Sequence, residues 1–355
     1  MNSSGLIPSP DAIPVHWVWF QVLLLVTFIL HLLFMNTMLG SCIIAMVREF
    51  KTQEEHDVLN KDISTKLPYI VAFTVNIGVA PLLFLQVLYG HLLYTSSLLM
   101  AVYWLSIVFL VMIAYYSLYI YDFKFDALGQ ARRIFIIIAV SLLLFVGFIF
   151  TNNMTLMMQP EQWSRYFFNP FGTLLNLQEN MVIPRFLHFV VGSIAIAGLF
   201  QAVLWEFRRK KNLSNIDEAV GNGMKWFMGA TSIQIMIGIW FLLSLPADKM
   251  MLFLGKDFLR TFLLAAGIIC IFFALYSASQ NKVWTTLMAA LSTVIIMVFI
   301  RDLLRMSWIK PFFSPASLKV EPQYSSLILF LIAFVIGFGI IVYMLKIAAS
   351  AGKEN

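Results

Sequence analysis

Charge is what this sequence has least of. Only 12% of its 355 residues are Asp, Glu, Lys or Arg, where a soluble domain carries about 25%. Cysteine is almost absent as well. Cys42 and Cys270 both lie in apolar runs, and neither a CxxC nor a CxxCH occurs, which excludes a thiol metal site, a disulfide scaffold and covalently attached c-type haem. The phosphate-binding GxxxxGK[ST], the dinucleotide-binding GxGxxG and the zinc-binding HExxH are missing too. What is present is apolar: 61% of the chain, with 15% aromatic and a mean hydropathy of +0.86. That balance excludes an ordinary cytoplasmic enzyme and a disordered chain, and it identifies a polytopic membrane protein.

Apolar runs of bilayer length fall at 17–47, 67–94, 97–121, 133–157, 182–207, 222–245, 260–279, 283–304 and 324–348. No barrel-like alternation is visible, so each is expected to be a helix, the element that satisfies its own backbone in lipid. No repeat or low-complexity linker divides the chain. The expected fold is all-α, a single transmembrane domain over 1–355 with about nine helices in one bundle. The segment before the first run has no Lys or Arg, and that run is too long for a signal-peptide core, so it is expected to stay as a helix.

The net charge of +6 sits mostly in short loops, so it is no nucleic-acid footprint. Of the 24 Lys and Arg, 15 follow spans one, three, five and seven or the last span. The positive-inside rule then places the N-terminus out and the C-terminus in, against the opposing Arg301, Arg305, Lys310 and Lys319. Two outer loops, 158–181 and 306–323, are longer than packing requires. They carry Trp163-Ser-Arg-Tyr-Phe-Phe-Asn-Pro170 and Trp308-Ile-Lys-Pro-Phe-Phe-Ser-Pro315. Such stretches suit an interfacial aromatic belt, a docking surface for an extracytoplasmic partner, or both.

An ionisable group inside lipid is a functional candidate by default. The span centres hold essentially no carboxylate. Asp302 and Glu206 lie near span ends, where snorkelling would explain them. That scarcity disfavours a proton pump or a proton-coupled transporter. Histidine is the exception. His16 and His56 read as solvated, while His31, His91 and His188 lie inside spans. Each is a packing residue or a ligand, and imidazole is a common neutral ligand of b-type haem iron. His91 and His188 are expected at similar outer depth, and Gly90 beside His91 would let a macrocycle approach the backbone. The leading expectation is therefore one low-spin haem between the second and fifth spans on His91 and His188, with His31 a further candidate. Alternatively, His188 pairs with His31 or a Met, or His91 only forms hydrogen bonds at the surface. Pro81 is expected to kink the second span and Pro184 to start the fifth. Asn76, Gln86, Asn152, Asn153 and Gln234 are expected to bridge helices.

Several segments resemble subunit I of the cytochrome bd-type quinol oxidases over nearly the first 245 residues. His31-Leu-Leu-Phe-Met-Asn-Thr-Met-Leu-Gly40 is similar to that family's first-helix segment. Met158-Gln-Pro160 resembles its Trp-Met-Gln-x-Pro, without the Trp and one residue shorter. Asn169-Pro170 followed by Arg185-Phe-Leu-His188-Phe resembles its Asn-Pro and Lys-Phe-Val-His-Thr. The resemblance implies nine spans, His31 as ligand of a high-spin b haem, and His188 as one ligand of a low-spin b haem. The departures matter as much. The low-spin Met is missing from Phe258-Leu-Arg-Thr-Phe-Leu-Leu264, and the paired glutamates are replaced by Met100-Ala-Val-Tyr-Trp-Leu-Ser-Ile-Val108. A late-helix carboxylate reads as Ile or Val, and the Gly-Arg-Gln-Pro-Trp motif is reduced to Leu304-Arg305-Met-Ser-Trp308. The long quinol loop shrinks to 246–255. Oxygen reduction needs protons delivered to a buried haem pair, so loss of the carboxylates implies that this is no terminal oxidase.

The functional expectation is a haem-b membrane subunit of a respiratory complex in the bacterial cytoplasmic membrane. It would exchange electrons between quinol or quinone and an extracytoplasmic cytochrome, such as a multihaem cytochrome c, or an iron–sulfur partner docked on loops 158–181 and 306–323. Other membrane subunits and lipid are its remaining expected partners. A non-redox anchor on the same scaffold is the alternative, with a transporter third, disfavoured by the absence of inverted repeats.

Overall fold

A computed structural model describes residues 3–51, 54–209 and 216–351. Ten long helices organise them: α1 (Trp17–Glu49), α2 (Glu54–Ser64), α3 (Leu67–Leu99), α4 (Ala101–Phe123), α5 (Arg132–Met157), α6 (Val182–Phe207), α7 (Ile216–Leu243), α8 (Phe258–Ser279), α9 (Val283–Ile309) and α10 (Tyr324–Ala351). All but α2 are long and apolar enough to cross a membrane, which gives nine candidate spans among the described residues. Strand structure there is limited to one bridge between Ile13 and Val320.

In lipid the hydrophobic effect does not drive helices together, so close backbone approach has to do so. The sequence supplies it with small residues. α6 and α7 meet where Gly198 faces Gly223, and a Cβ on Gly198 would stand 2.8 Å from the Gly223 carbonyl oxygen. Gly40 brings α1 closer still to Ser193 and Ala197 of α6. α1 is the central helix: it packs on α3, α5, α6 and α9. α4 lies on α5, and α8 and α9 form a hairpin that meets α7, α6 and α1 over a smaller area. α10 stands apart. None of its described residues is buried.

The apolar runs locate the spans, with several differences of detail. The second run continues to Leu99 and the eighth to Ile309, so Trp308 is helical and the loop begins after it. The amphipathic α2 was not foreseen. It lies in the first connection and buries Leu59 and Ile63. Pro184 sits in the first turn of α6, as expected, where its missing N–H costs nothing. Pro81 remains inside α3, whose backbone leaves helical values eight residues later at Tyr89 (φ −132°, ψ 26°).

The long loops fold back onto the bundle. A 3-10 segment, Pro160–Phe168, buries Trp163 to 2% exposure, and its indole N–H donates to the Leu156 carbonyl at 2.9 Å. Trp163 is thus an internal anchor of its loop and not available to a partner. Phe167, Phe168 and Phe171 of the same loop are exposed, Phe168 to 90%. The second loop pairs with the N-terminal segment: Ile13 N–H donates to Lys319 O at 2.8 Å and Glu321 N–H to Ile13 O at 2.9 Å.

Bridging polar residues divide by position. Asn153 reaches Ser97 of α3 at 3.2 Å, Asn152 accepts from the Asn176 backbone N–H at 3.1 Å, and Gln234 of α7 donates to the His188 carbonyl at 2.8 Å. Asn76 and Gln86 do not bridge helices: both are exposed, and Asn76 bonds its own helix at Ala72 O.

Candidate functional site

Three arginines gather near the end of the bundle that carries the N-terminus. Arg185 lies in the first turn of α6, and Arg301 and Arg305 one turn apart on α9. Their spacing of four residues puts the α9 pair on one face. Arg305 is buried and pairs with Asp302, which also accepts a hydrogen bond from Gln21 Nε2 of α1 at 2.7 Å. The Arg305 guanidinium stands 4.7 Å from the ring centre of Tyr89, on α3, and the Arg301 guanidinium 4.2 Å from that of Phe28, on α1. Arg185, Arg301 and Arg305 are close enough for their charges to act on one another.

Asp302 is the carboxylate in this group, and it is buried, so snorkelling does not explain it. It serves as counter-ion to Arg305. Arg185 and Arg301 have no ion-pair or hydrogen-bond partner among the described residues. Arg305 is buried and Arg185 and Arg301 are half-buried, and holding several cations within mutual reach is unfavourable unless an anion joins them. The arrangement therefore has capacity for negative charge.

Histidines border this cluster. The His31 Nδ1 stands 3.1 Å from the Thr74 carbonyl oxygen of α3. A carbonyl can only accept, so Nδ1 carries the proton and Nε2 keeps its lone pair. That is how a ligating imidazole is commonly held. Gly78 leaves the space for the ring: a Cβ there would meet it at 2.6 Å. Arg301 is close enough for its charge to act on His31.

His188 follows Arg185 by three residues on α6, so the two share a face. Its ring lies 3.3 Å from where a Cβ of Gly238 would stand on α7, with Phe241 beside it, and its Nδ1 is buried without a partner. From Gly40 against Ser193 and Ala197, His31 and His188 are both roughly 8–14 Å nearer the N-terminal end. Both lie in the same half of the bundle, yet they face different neighbours. His31 lies against α3 and His188 against α7, and Arg301 and Arg185 connect the two places.

His91 lies elsewhere. Its ring packs edge-on against Phe313 at 4.5 Å between centres, its Nε2 is buried without a partner, and Asp11 is its charged neighbour. α1 packs between α3 and α6. The structure does not bring His91 and His188 together. His16 is exposed and caps α1 by accepting from Val18 N–H at 3.4 Å. The side chain of His56 is outside the described residues.

Among the described residues no three His, Cys, Asp or Glu side chains converge on a bare metal ion. The donors present instead suit a haem: neutral imidazoles for the iron, and unpaired guanidiniums for two propionates. Sequence reading found the histidines but passed over Arg185, Arg301, Arg305, Gly78 and Gly238. The available signal was Arg301-Asp302-Leu-Leu-Arg305 inside an otherwise apolar span. No protein-family model matches this chain, and no curated protein matches it.

Proposed function

We propose that the chain is a haem-b subunit of a respiratory electron-transfer complex in the bacterial cytoplasmic membrane. The observation that carries this reading is that His31 and His188 border Arg185 and Arg301, which have no ion-pair or hydrogen-bond partner among the described residues. His188 and His31 would ligate b-type haem, one or two groups in number, and Arg185, Arg301 and Arg305 would neutralise the propionates. Bound haem would supply one-electron transfer. The residues of the chain have defined tasks: Thr74 fixes the His31 tautomer, Gly78 and Gly238 make room for the imidazoles, and Asp302 with Gln21 holds Arg305 in place.

The donor would be a membrane quinol and the acceptor an extracytoplasmic cytochrome or iron–sulfur protein. Three of the nine cations that oppose the charge bias, Arg185, Arg301 and Arg305, are part of this cluster and not of loops, which supports an outward-facing N-terminus. The acceptor would dock on loops 158–181 and 310–323, with Phe167, Phe168 and Phe171 offered to it. His91 is assigned to that surface layer beneath Phe313. Catalysis of oxygen reduction is excluded from the proposal, because among the described residues no carboxylate borders His31 or His188.

A reduced-minus-oxidised visible spectrum of the purified chain tests the haem directly. A sharp b-type α band is expected, and a featureless difference spectrum overturns it. Quinol-driven oxygen uptake by the purified chain would overturn the exclusion of oxidase activity. A non-redox anchor subunit is the second reading, favoured by α10, none of whose described residues is buried against its own chain. It predicts the featureless spectrum.

A further inference from the structure

A second concave site lies at the opposite end of the bundle, away from the arginine cluster. A groove of 420 Å³ runs between α1, α6 and α7. Its mouth carries Arg48, Lys51 and Lys225, and no acidic side chain lines it among the described residues. Arg48 is buried and its guanidinium donates to Asn222 at 2.7 Å, which holds it at the mouth, while Lys51 and Lys225 are exposed. Beyond Trp226 the wall becomes apolar, through Gly229 to Ile233. Lys225 to Ile233 is eight residues of helix, about 12 Å, close to the depth of one leaflet's hydrocarbon.

Gly229 keeps this trough open. No atom lies within 4 Å of where its Cβ would stand. A cationic mouth, an indole at the level of the interface and an apolar trough pointing toward the bundle centre match one kind of molecule in both charge and length. We propose that this groove is a binding site for an anionic phospholipid, its phosphate at Lys51, Lys225 and Arg48 and one acyl chain along Gly229 and Ile233. Basic pockets between transmembrane helices on the positively charged side of a membrane take such headgroups. The site is independent of the haem proposal and does not share a residue with it.

The test is native mass spectrometry of the full chain released from neutral detergent containing equal phosphatidylglycerol and phosphatidylcholine. Preferential retention of phosphatidylglycerol is expected. Lys51→Gln with Lys225→Gln removes two surface charges and should lower that preference roughly thirty-fold. Gly229→Leu fills the trough without touching a charge and should abolish retention of either lipid. Circular dichroism and gel filtration check that each variant is folded, and the lysine variant, altered only at exposed positions, keeps the test decisive if Gly229→Leu fails to fold. Equal retention of both lipids by the unaltered chain, or full preference in the lysine variant, overturns the proposal. So does displacement of phosphatidylglycerol by millimolar inorganic phosphate together with normal retention in Gly229→Leu, because the site would then recognise free phosphate and not a lipid.

Discussion

Two buried charge clusters, one toward each end of this bundle, are built in opposite ways. At the end away from the N-terminus, Glu49 has a side chain only 1% exposed, and it is fully partnered. Arg132 Nε approaches its two carboxylate oxygens at 3.0 and 2.9 Å, Tyr121 donates at 2.8 Å and Asn60 at 3.1 Å. That one acid ties α1, α2, α4 and α5. Nearby, Asp62 sits between Lys66 at 2.8 Å and Arg208 at 2.9 Å. At the N-terminal end Asp302 pairs with Arg305 alone, and Arg185 and Arg301 have no ion-pair or hydrogen-bond partner among the described residues. A closed network holds helices. An open one has room for a ligand.

Variants of the open cluster should therefore cost the proposed haem, and variants of the Glu49 network should cost the fold. The largest effect is expected at the histidines. His188→Ala and His31→Ala should each remove a b-type spectral contribution or convert it to high spin, while the thermal midpoint moves little. His91→Ala should leave the visible spectrum unchanged. Loss of the α band in the His91 variant, with His31→Ala silent, would overturn the assignment of His31 and restore the pairing of His91 with His188.

Glu49→Ala makes the reverse prediction. Removing one partner of a buried ion pair strands the other and costs roughly 3–5 kcal/mol. Thermal unfolding in detergent should show that loss, with any haem spectrum intact below the transition. A variant as stable as the parent would mean that the network at this end is not what holds the four helices.

How much of this was legible in the sequence follows from which signals are local. The nine spans are local, since each announces itself by twenty apolar residues, and all nine were found. The histidines were found because imidazole is rare in lipid. Their neighbours were not, because helix phase and packing order decide who faces whom. His91 and His188 were put together on outer depth, the missing Met and the space beside Gly90, none of which says that α1 stands between their helices. Arg301 and Arg305 were counted chiefly as charges opposing the positive-inside bias, since a count by side ignores that four residues make one helical turn. Asp302 was assigned to snorkelling for the same reason. α2 was missed because an eleven-residue amphipathic helix between two long apolar spans gives a weak pattern beside them.

A subtler measurement addresses the unpaired cations themselves. Arg185→Gln or Arg301→Gln removes a positive charge near the proposed propionates. Positive charge favours the reduced iron, so its removal should lower the haem midpoint potential. An interaction of about 1.4 kcal/mol corresponds to roughly 60 mV for one electron. Redox titration of each variant reads it. An unchanged potential in both would separate the arginines from the haem and leave their anion to be sought elsewhere.

The smallest effect is expected at an arginine of the same end that does have a partner. Arg260 Nη1 lies 2.5 Å from Asp257, which also caps α8 by accepting the Arg260 backbone N–H at 3.0 Å. That backbone hydrogen bond, aided by the Arg260 charge, holds the Asp257 carboxyl below the usual carboxylate range. The sign follows from linkage: a depressed folded value stabilises the fold above the ordinary carboxylate pKa, and the contribution disappears as pH falls through the folded value. Asp257→Asn keeps a capping side chain and removes the charge. Its thermal midpoint should lie slightly below that of the parent at pH 7, and the two should converge as the buffer is taken below the carboxylate range. The visible spectrum and the haem potential should not move at any pH. A potential shift in Asp257→Asn as large as in Arg185→Gln would erase the distinction between paired and unpaired arginine on which the contrast of the two ends rests.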